Sequence, residues 1–451
     1  MNATSEAEAR SVRQNVELIK EGALSSEQVV AECLNVIDTN DENIGAWAHL
    51  DRDHALNQAR SLDEIRRQGQ PLGDLHGIPI GLKDIFDTSD FPTELGSPIH
   101  AGRKPDFDSA VAEKLREAGA VILGKTVSTE FAYMHHSSTR NPHNPAYSPG
   151  GSSSGSAAAV AAGQVPLSIG SQTNSSTIRP ASFCGIYGFK PSRGIISRRG
   201  VLQTSPTLDQ VGVFGLDIGD IALLCDVLGG YDVADNMSYL APRPRMLEGY
   251  LSEVPIEPNF VWIDLPYTDR FSEAVSLGSE ELAQGLGAQF ERIPAPLTFS
   301  ALPECHKIIY DYELYRCLED EREKHWNELS DTMQKALEAA KSRTTAEYED
   351  AQSVLEGANT WFQQFFNDYD AIITPSATGE APKMGGGTGD PICSTIWTLC
   401  GLPCVSLPLL TGENALPIGV QLVAGINEDD RLLRATRWLL GHLRSNIDID
   451  N

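Results

Sequence analysis

Gly119-Ala120-Val121-Ile122-Leu123-Gly124-Lys125-Thr126 matches, letter for letter, the glycine-rich loop that cradles nucleotide phosphates. The match fails on physical grounds. A phosphate cradle is an open turn whose amides converge on one point, whereas Ala120 to Leu123 is an apolar run suited to a buried strand. Read as a strand, it follows an amphipathic helix over Ser109 to Ala118, and helix followed by strand is the repeat of a wound α/β sheet.

The alternation extends outward in both directions. Gly77 to Leu82 reads as a short apolar strand that delivers Lys83 to its carboxyl end. Before it, Ser25 and Gln28 form a capping box for a helix with Val29, Val30, Cys33 and Ile37 at helical spacing, and a second helix is expected near Ala55 to Arg67. Downstream, Asn141 to Ser156 is loop, Ala157 to Ala162 a tightly packed helix, and Val165 to Ile169 the next strand. Residues 301–368 form a helical excursion, in which Thr344 and Glu347 cap a helix with Val354, Leu355, Ala358, Trp361, Phe362 and Phe365 on its apolar face. Asp370 to Thr374 returns to a strand, and Asn427 is read as the cap of a last helix.

Composition bounds the function. The 451 residues are 41% apolar and 22% charged, enough for a large core. A net charge of −27 argues against non-specific binding to nucleic acid or to an anionic membrane surface. The eight cysteines lack paired spacing and read as reduced core residues. The first ten residues are polar and acidic, unlike a signal peptide, and no apolar run reaches the roughly 18 residues that span a bilayer. A cytoplasmic protein is expected, without nucleic-acid or membrane partners; the sequence is silent on oligomeric state.

A second motif also misleads. Gly151-Ser152-Ser153-Ser154-Gly155 fits the nucleophile elbow of α/β-hydrolases, with His306, His325 or His442 as conceivable bases. An elbow follows a strand, and Asn141 to Pro149 holds three prolines. The ten histidines show no metal-ligand spacing, and neighbours such as His135 and His136 would point to opposite faces of a strand, so no metal or organic cofactor is expected.

Three segments remain: Gly77 to Asp84, Gly150-Gly151-Ser152-Ser153-Ser154-Gly155-Ser156, and Gly170-Ser171-Gln172-Thr173-Asn174-Ser175-Ser176-Thr177-Ile178-Arg179-Pro180. Together, in this order, they resemble the amidase signature family. The similarity also takes in Leu115 to Phe131, Ala181 to Pro191, Leu208 to Gly212, Tyr369 to Pro375, Gly401-Leu402-Pro403 and Pro417 to Gln421, and so covers nearly the whole chain. It implies one large α/β domain, a central mixed twisted sheet covered by helices on both faces. Residues 1–70 would form N-terminal helices and 71–230 the catalytic core, with 301–368 near the substrate entrance.

By motif, the resemblance assigns catalysis to Lys83, Ser152 and Ser176, with an unusual cis peptide bond following Ser152. A neutral Lys83 would draw a proton from Ser152, and Ser152 from Ser176, which attacks the carbonyl. Burial away from carboxylates is what would keep Lys83 neutral. Backbone N–H groups of Thr173, Asn174, Ser175 and Ser176 would form the oxyanion hole. Phe131, Tyr133, Met134 and Gln172 are the expected substrate-binding residues. Phe131, Tyr133 and Met134 suggest an apolar acyl pocket for a small uncharged aryl or alkyl amide, with carbamates and esters also plausible.

The chain departs from the pattern where it matters for substrate. Asn174 and Ser175 stand where two glycines are usual, Gln172 where many members have Asp, Ser154 in place of a common glycine, and the arginine of the Ser-Ile-Arg stretch comes one place late, as Arg179. The family includes a glutamine-using amidase subunit that acts on charged transfer RNA; the altered loop and the acidity weigh against it here. The remaining alternative, a catalytically idle binding protein, is disfavoured because all three reactive residues are present.

Overall fold

The computed structural model describes residues 10–449, with side chains to 445. Its frame is a mixed sheet, and the chain's strands are β1 (Trp47–Leu50), β2 (Pro79–Lys83), β3 (Val121–Thr126), β4 (Leu167–Gln172), β5 (Tyr187–Lys190), β6 (Gln210–Gly215), β7 (Phe260–Asp264), β8 (Phe290–Pro294), β9 (Ala371–Pro375), β10 (Cys404–Thr411) and β11 (Pro417–Val423). Their spatial order is β1-β3-β2-β4-β6-β5-β10-β11-β9-β7-β8. β2 runs parallel to both β3 and β4, and β7 to both β8 and β9, whereas the strands between are antiparallel.

Side-chain alternation shows why helices cover both faces. Along β3, Ile122 packs into one apolar cluster while Val121 and Leu123 pack into another. At the far end of the sheet Ile373 of β9 joins the first cluster and Ile372 a third. Period-two alternation sends neighbours to opposite faces, so strands apolar throughout need a helical layer on each side. The helices Ser26–Ile44, Arg52–Arg67 and Ser154–Ala161 supply one such layer at the β1 end. No boundary divides the sheet, and the fold is a single α/β domain.

Helix termini follow local chemistry. Ser25 and Gln28 close a reciprocal capping box, and so do Thr344 and Glu347. The second helix starts at Arg52 because the Asp51 side chain accepts from the His54 N–H. The last helix differs from expectation. It begins at Asp429, and Asn427 precedes it in the left-handed region (φ 65°), bonded to Tyr239 rather than to the helix. The His135 and His136 rings lie 5.0 Å apart in a turn, not on opposite faces of a strand. Lys125, the lysine of the false phosphate motif, is buried and gives its ammonium to the Phe86 carbonyl (2.6 Å) and the Thr93 hydroxyl (2.7 Å).

Candidate active site

β2 ends on Lys83 between β3 and β4, so the lysine lies inside the sheet and is fully buried. Nζ donates to Ser152 Oγ at 2.7 Å and to Ser171 Oγ at 2.8 Å. Burial pushes the ammonium down from 10.5 to about 7, and the negative charge of Asp209 only partly opposes it. Above that pH the amine is neutral and able to take a proton. Ser171 was not among the expected site residues.

The Gly151–Ser152 peptide is cis, so the cis bond precedes Ser152 instead of following it. Ser153 Oγ lies 3.2 Å from both the N–H and the carbonyl oxygen of Ser171, tying the serine loop to β4. Two facing glycines make room here, Gly170 on β4 for the serine loop and Gly212 on β6 for Thr177. A Cβ on Gly170 would lie 2.5 Å from Ser153 Oγ, and one on Gly212 would lie 2.2 Å from Thr177 Oγ1.

The loop Thr173–Ser176 then leaves β4. Neither Asn174 nor Ser175 has positive φ, so the absent glycines are not required for the turn. Both side chains are instead bonded to the helix Ile392–Leu399. Ser175 Oγ donates to Ser394 Oγ, and Thr395 Oγ1 donates to Asn174 Oδ1, each at 2.8 Å. Thr398 Oγ1 donates to the Asn174 carbonyl. At the start of the loop the Thr173 hydroxyl donates to Asp209 (2.6 Å), and its carbonyl accepts from His306 Nε2 (2.9 Å). A carbonyl only accepts, so Nε2 carries the proton; burial holds the ring down at about 4, neutral at ordinary pH.

Ser176 faces a pocket of about 280 Å³. The Ser152 and Ser176 hydroxyls are not hydrogen-bonded to one another, and neither bonds a histidine. Among the described residues, the backbone N–H groups of Asn174, Ser175 and Ser176 donate to nothing.

Of the expected substrate-binding residues, Tyr133 and Met134 lie on the pocket wall and Phe131 and Gln172 do not. Phe131 and Ala132 both adopt left-handed backbone (φ 46° and 56°), which turns the Phe131 ring into the core, edge-on to His100. Gln172 is a clamp. Its Oε1 accepts from the N–H groups of Thr177 (2.9 Å) and Ile178 (3.0 Å), and its Nε2 donates to Thr398 Oγ1. It thus satisfies otherwise free donors at the start of the helix Ile178–Cys184, a task an Asp could also perform. Nor is the wall purely apolar. Arg179, Arg270, Lys307, Asp311 and Asp390 share it with Tyr133, Met134, Tyr310 and Ile392.

The ligand atoms of His49, Asp84 and Glu94 lie within 4.8 Å of one another. The two carboxylates are already engaged. Glu94 pairs with His49, while Asp84 accepts from the Glu94 N–H and sits 3.6 Å from the Lys125 ammonium. No helix among the described residues is long and apolar enough to cross a membrane.

The sequence profile of the Amidase family matches residues 28–433. The chain belongs to the amidase family. It is an enzyme of the class that hydrolyses amide carbon–nitrogen bonds. It is 33% identical over 456 residues to a glutamyl-tRNA(Gln) amidotransferase subunit from Chloroflexus aggregans, covering 92% of each chain. Identity to the corresponding amidotransferase subunit from Streptomyces coelicolor is also 33%, over 463 residues and 92% of each. Among solved structures, it superposes with a TM-score of 0.89 and 28% identity on a chain from a vestigial protein complex bearing on the evolutionary origins of an s-triazine catabolic enzyme, covering 96% of this amidase and 98% of that chain. The native peptide amidase of Stenotrophomonas maltophilia matches with a TM-score of 0.82 and 25% identity over 98% of each chain.

Proposed function

We propose that this amidase hydrolyses a small carboxamide through an acyl-enzyme on Ser176, with Lys83 as the base and Ser152 as the relay. The observation that carries the reading is the 2.7 Å bond from a fully buried Lys83 to Ser152, with no carboxylate within ion-pairing distance to keep the lysine charged. Neutral Lys83 takes the Ser152 proton and Ser152 takes that of Ser176 as its oxygen attacks the carbonyl. Closing the second step needs the two serine hydroxyls to meet once substrate is bound, since catalytic hydrogen bonds often tighten only then. The tetrahedral oxyanion would accept from the unoccupied N–H groups of Asn174, Ser175 and Ser176. The proton returns along the same path to the leaving nitrogen, and water repeats the cycle on the ester.

The charged wall does not favour the uncharged aryl amide inferred from Tyr133 and Met134 alone. A second reading is supported by the two amidotransferase relatives: glutamine as the amide, with ammonia passed to a partner enzyme. Ammonia release from glutamine and from neutral aryl amides and carbamates, measured side by side on purified protein, separates these substrates. A fluorophosphonate probe tests the chemistry common to all. It should add its mass to the peptide containing Ser176 and fail to do so in Ser176→Ala. Labelling at another serine would remove Ser176 as nucleophile.

A further inference from the structure

Three metal-ligating side chains meet where β1 lies beside the end of β2. His49 sits on β1 opposite Lys125, Asp84 directly follows β2, and Glu94 comes later in the same loop. Their ligand atoms all lie within 4.8 Å of one another, and none of the three lines the pocket at Ser176. Histidine spacing along the chain does not announce the group, because its members come from separate segments.

The central contact has the geometry of two ligands. His49 Nε2 and Glu94 Oε2 are 3.2 Å apart, yet Nε2 is buried and makes no hydrogen bond among the described residues. Glu94 thus stands close to the imidazole without an aligned proton between them. Around a tetrahedral ion with bonds of about 2.0 Å, neighbouring ligand atoms lie about 3.3 Å apart, which matches this separation. A neutral imidazole offers a lone pair at one nitrogen, and one such nitrogen with two carboxylates is a donor set that suits zinc.

The carboxylates are engaged but not saturated. Glu94 accepts the Gly102 N–H on Oε1 at 2.6 Å, which leaves Oε2 toward His49. Asp84 accepts the Glu94 N–H at 3.1 and 3.2 Å, and a carboxylate has about four lone-pair sites. The Lys125 ammonium stands 3.6 Å from Asp84, but its protons go to the Phe86 and Pro92 carbonyls and the Thr93 hydroxyl.

An independent observation points to the same place. A cavity of about 310 Å³ is lined by Asp84, Glu94 and Ser97. Ser97 is only 4% exposed, and its hydroxyl has no hydrogen-bond partner among the described residues. A buried hydroxyl in that condition calls for an ion or an ordered water, and a water carried on a metal ion here would meet the need. The His49 and Glu94 side chains are 24% and 29% exposed, which gives an ion from solvent a way in.

We propose that His49, Glu94 and Asp84 form a binding site for one zinc-type divalent cation, with the Ser97 hydroxyl holding a water bound to it. Rotation of the partly exposed His49 and Glu94 side chains brings the set to bonding distance. The occupied site ties the edge strand β1 to the loop after β2, and an ion that binds only the folded chain raises its stability. The site stands apart from the amide chemistry and does not depend on it.

The test is calorimetric titration of zinc chloride into the full chain after chelator treatment, with thermal unfolding followed in parallel. One zinc should bind per chain and raise Tm. His49→Ala and Glu94→Gln should each weaken binding by more than the roughly tenfold typical of losing a residue that only supports a ligand, and should abolish the rise in Tm. These variants are preferred to Asp84→Asn because Asp84 is buried beside Lys125, and circular dichroism confirms that they fold. His135 and His136, whose rings lie 5.0 Å apart, are the competing zinc ligands, and replacing both by alanine should leave binding unchanged. No zinc binding overturns the proposal, as does binding that survives His49→Ala and Glu94→Gln or that disappears with His135 and His136.

Discussion

Lowering the pH through 7 should switch this enzyme off by protonating one amine. With Lys83 at about 7, half of the molecules hold a neutral base at that pH and about one-tenth at one unit below, so kcat/KM should fall about tenfold per pH unit on the acid side. An unburied lysine near 10.5 would be neutral in only about 0.03% of molecules at neutral pH, and its activity would keep climbing far into alkali. The assay is ammonia release from the best amide between about pH 5 and about pH 10 at constant ionic strength, with circular dichroism confirming the fold at each point. Lys83→Ala should lose the limb and at least about a hundredfold in rate. A wild-type profile that rises only above about pH 9, or an identical limb in Lys83→Ala, would refute a neutral Lys83 as the base.

Other expectations follow from the same contacts. Ser171→Ala removes an acceptor that stabilises the Lys83 ammonium, so the acid limb should move down, by about 0.4–1 pH unit for one hydrogen bond; an upward shift counts against the assignment. Gln172→Ala leaves the Thr177 and Ile178 N–H groups buried and unpaired, and urea unfolding should show a loss of about 1–3 kcal/mol. Gly212→Ala drives a methyl into Thr177; fluorophosphonate labelling of Ser176 should collapse, and normal labelling would show that the helix can shift freely.

Much of this site can be read from the chain because its elements are short-range. Lys83 closes an apolar strand, and the glycine- and serine-rich segments sit at fixed distances from it, so motif and order suffice. Phe131 was misplaced because a reading by neighbours assumes ordinary backbone, and two consecutive left-handed residues reverse which side chains look outward. Ser171 was missed because a serine on a strand looks like any pleat position; only the depth of Lys83 shows that it needs a second acceptor. Ser394, Thr395 and Thr398 were out of reach for another reason. They lie some 220 residues from the loop they hold, and isolated hydroxyl residues on a helix carry no signature. The charged character of the wall likewise emerges only in space, since Arg179, Arg270, Lys307, Asp311 and Asp390 come from distant parts of the chain.

The helix that grips the nucleophile loop follows it in the chain by some 220 residues, and that ordering matters for biosynthesis. A ribosome has made Lys83, Ser152 and Ser176 long before residues 394–398 emerge. Until then the loop lacks the partners that set its shape, so a nascent or prematurely terminated polypeptide should be hydrolytically silent. A product stopped near residue 385 should resist the fluorophosphonate probe even while its earlier strands form, so that the reactive serine is armed only once residues 394–398 have been added.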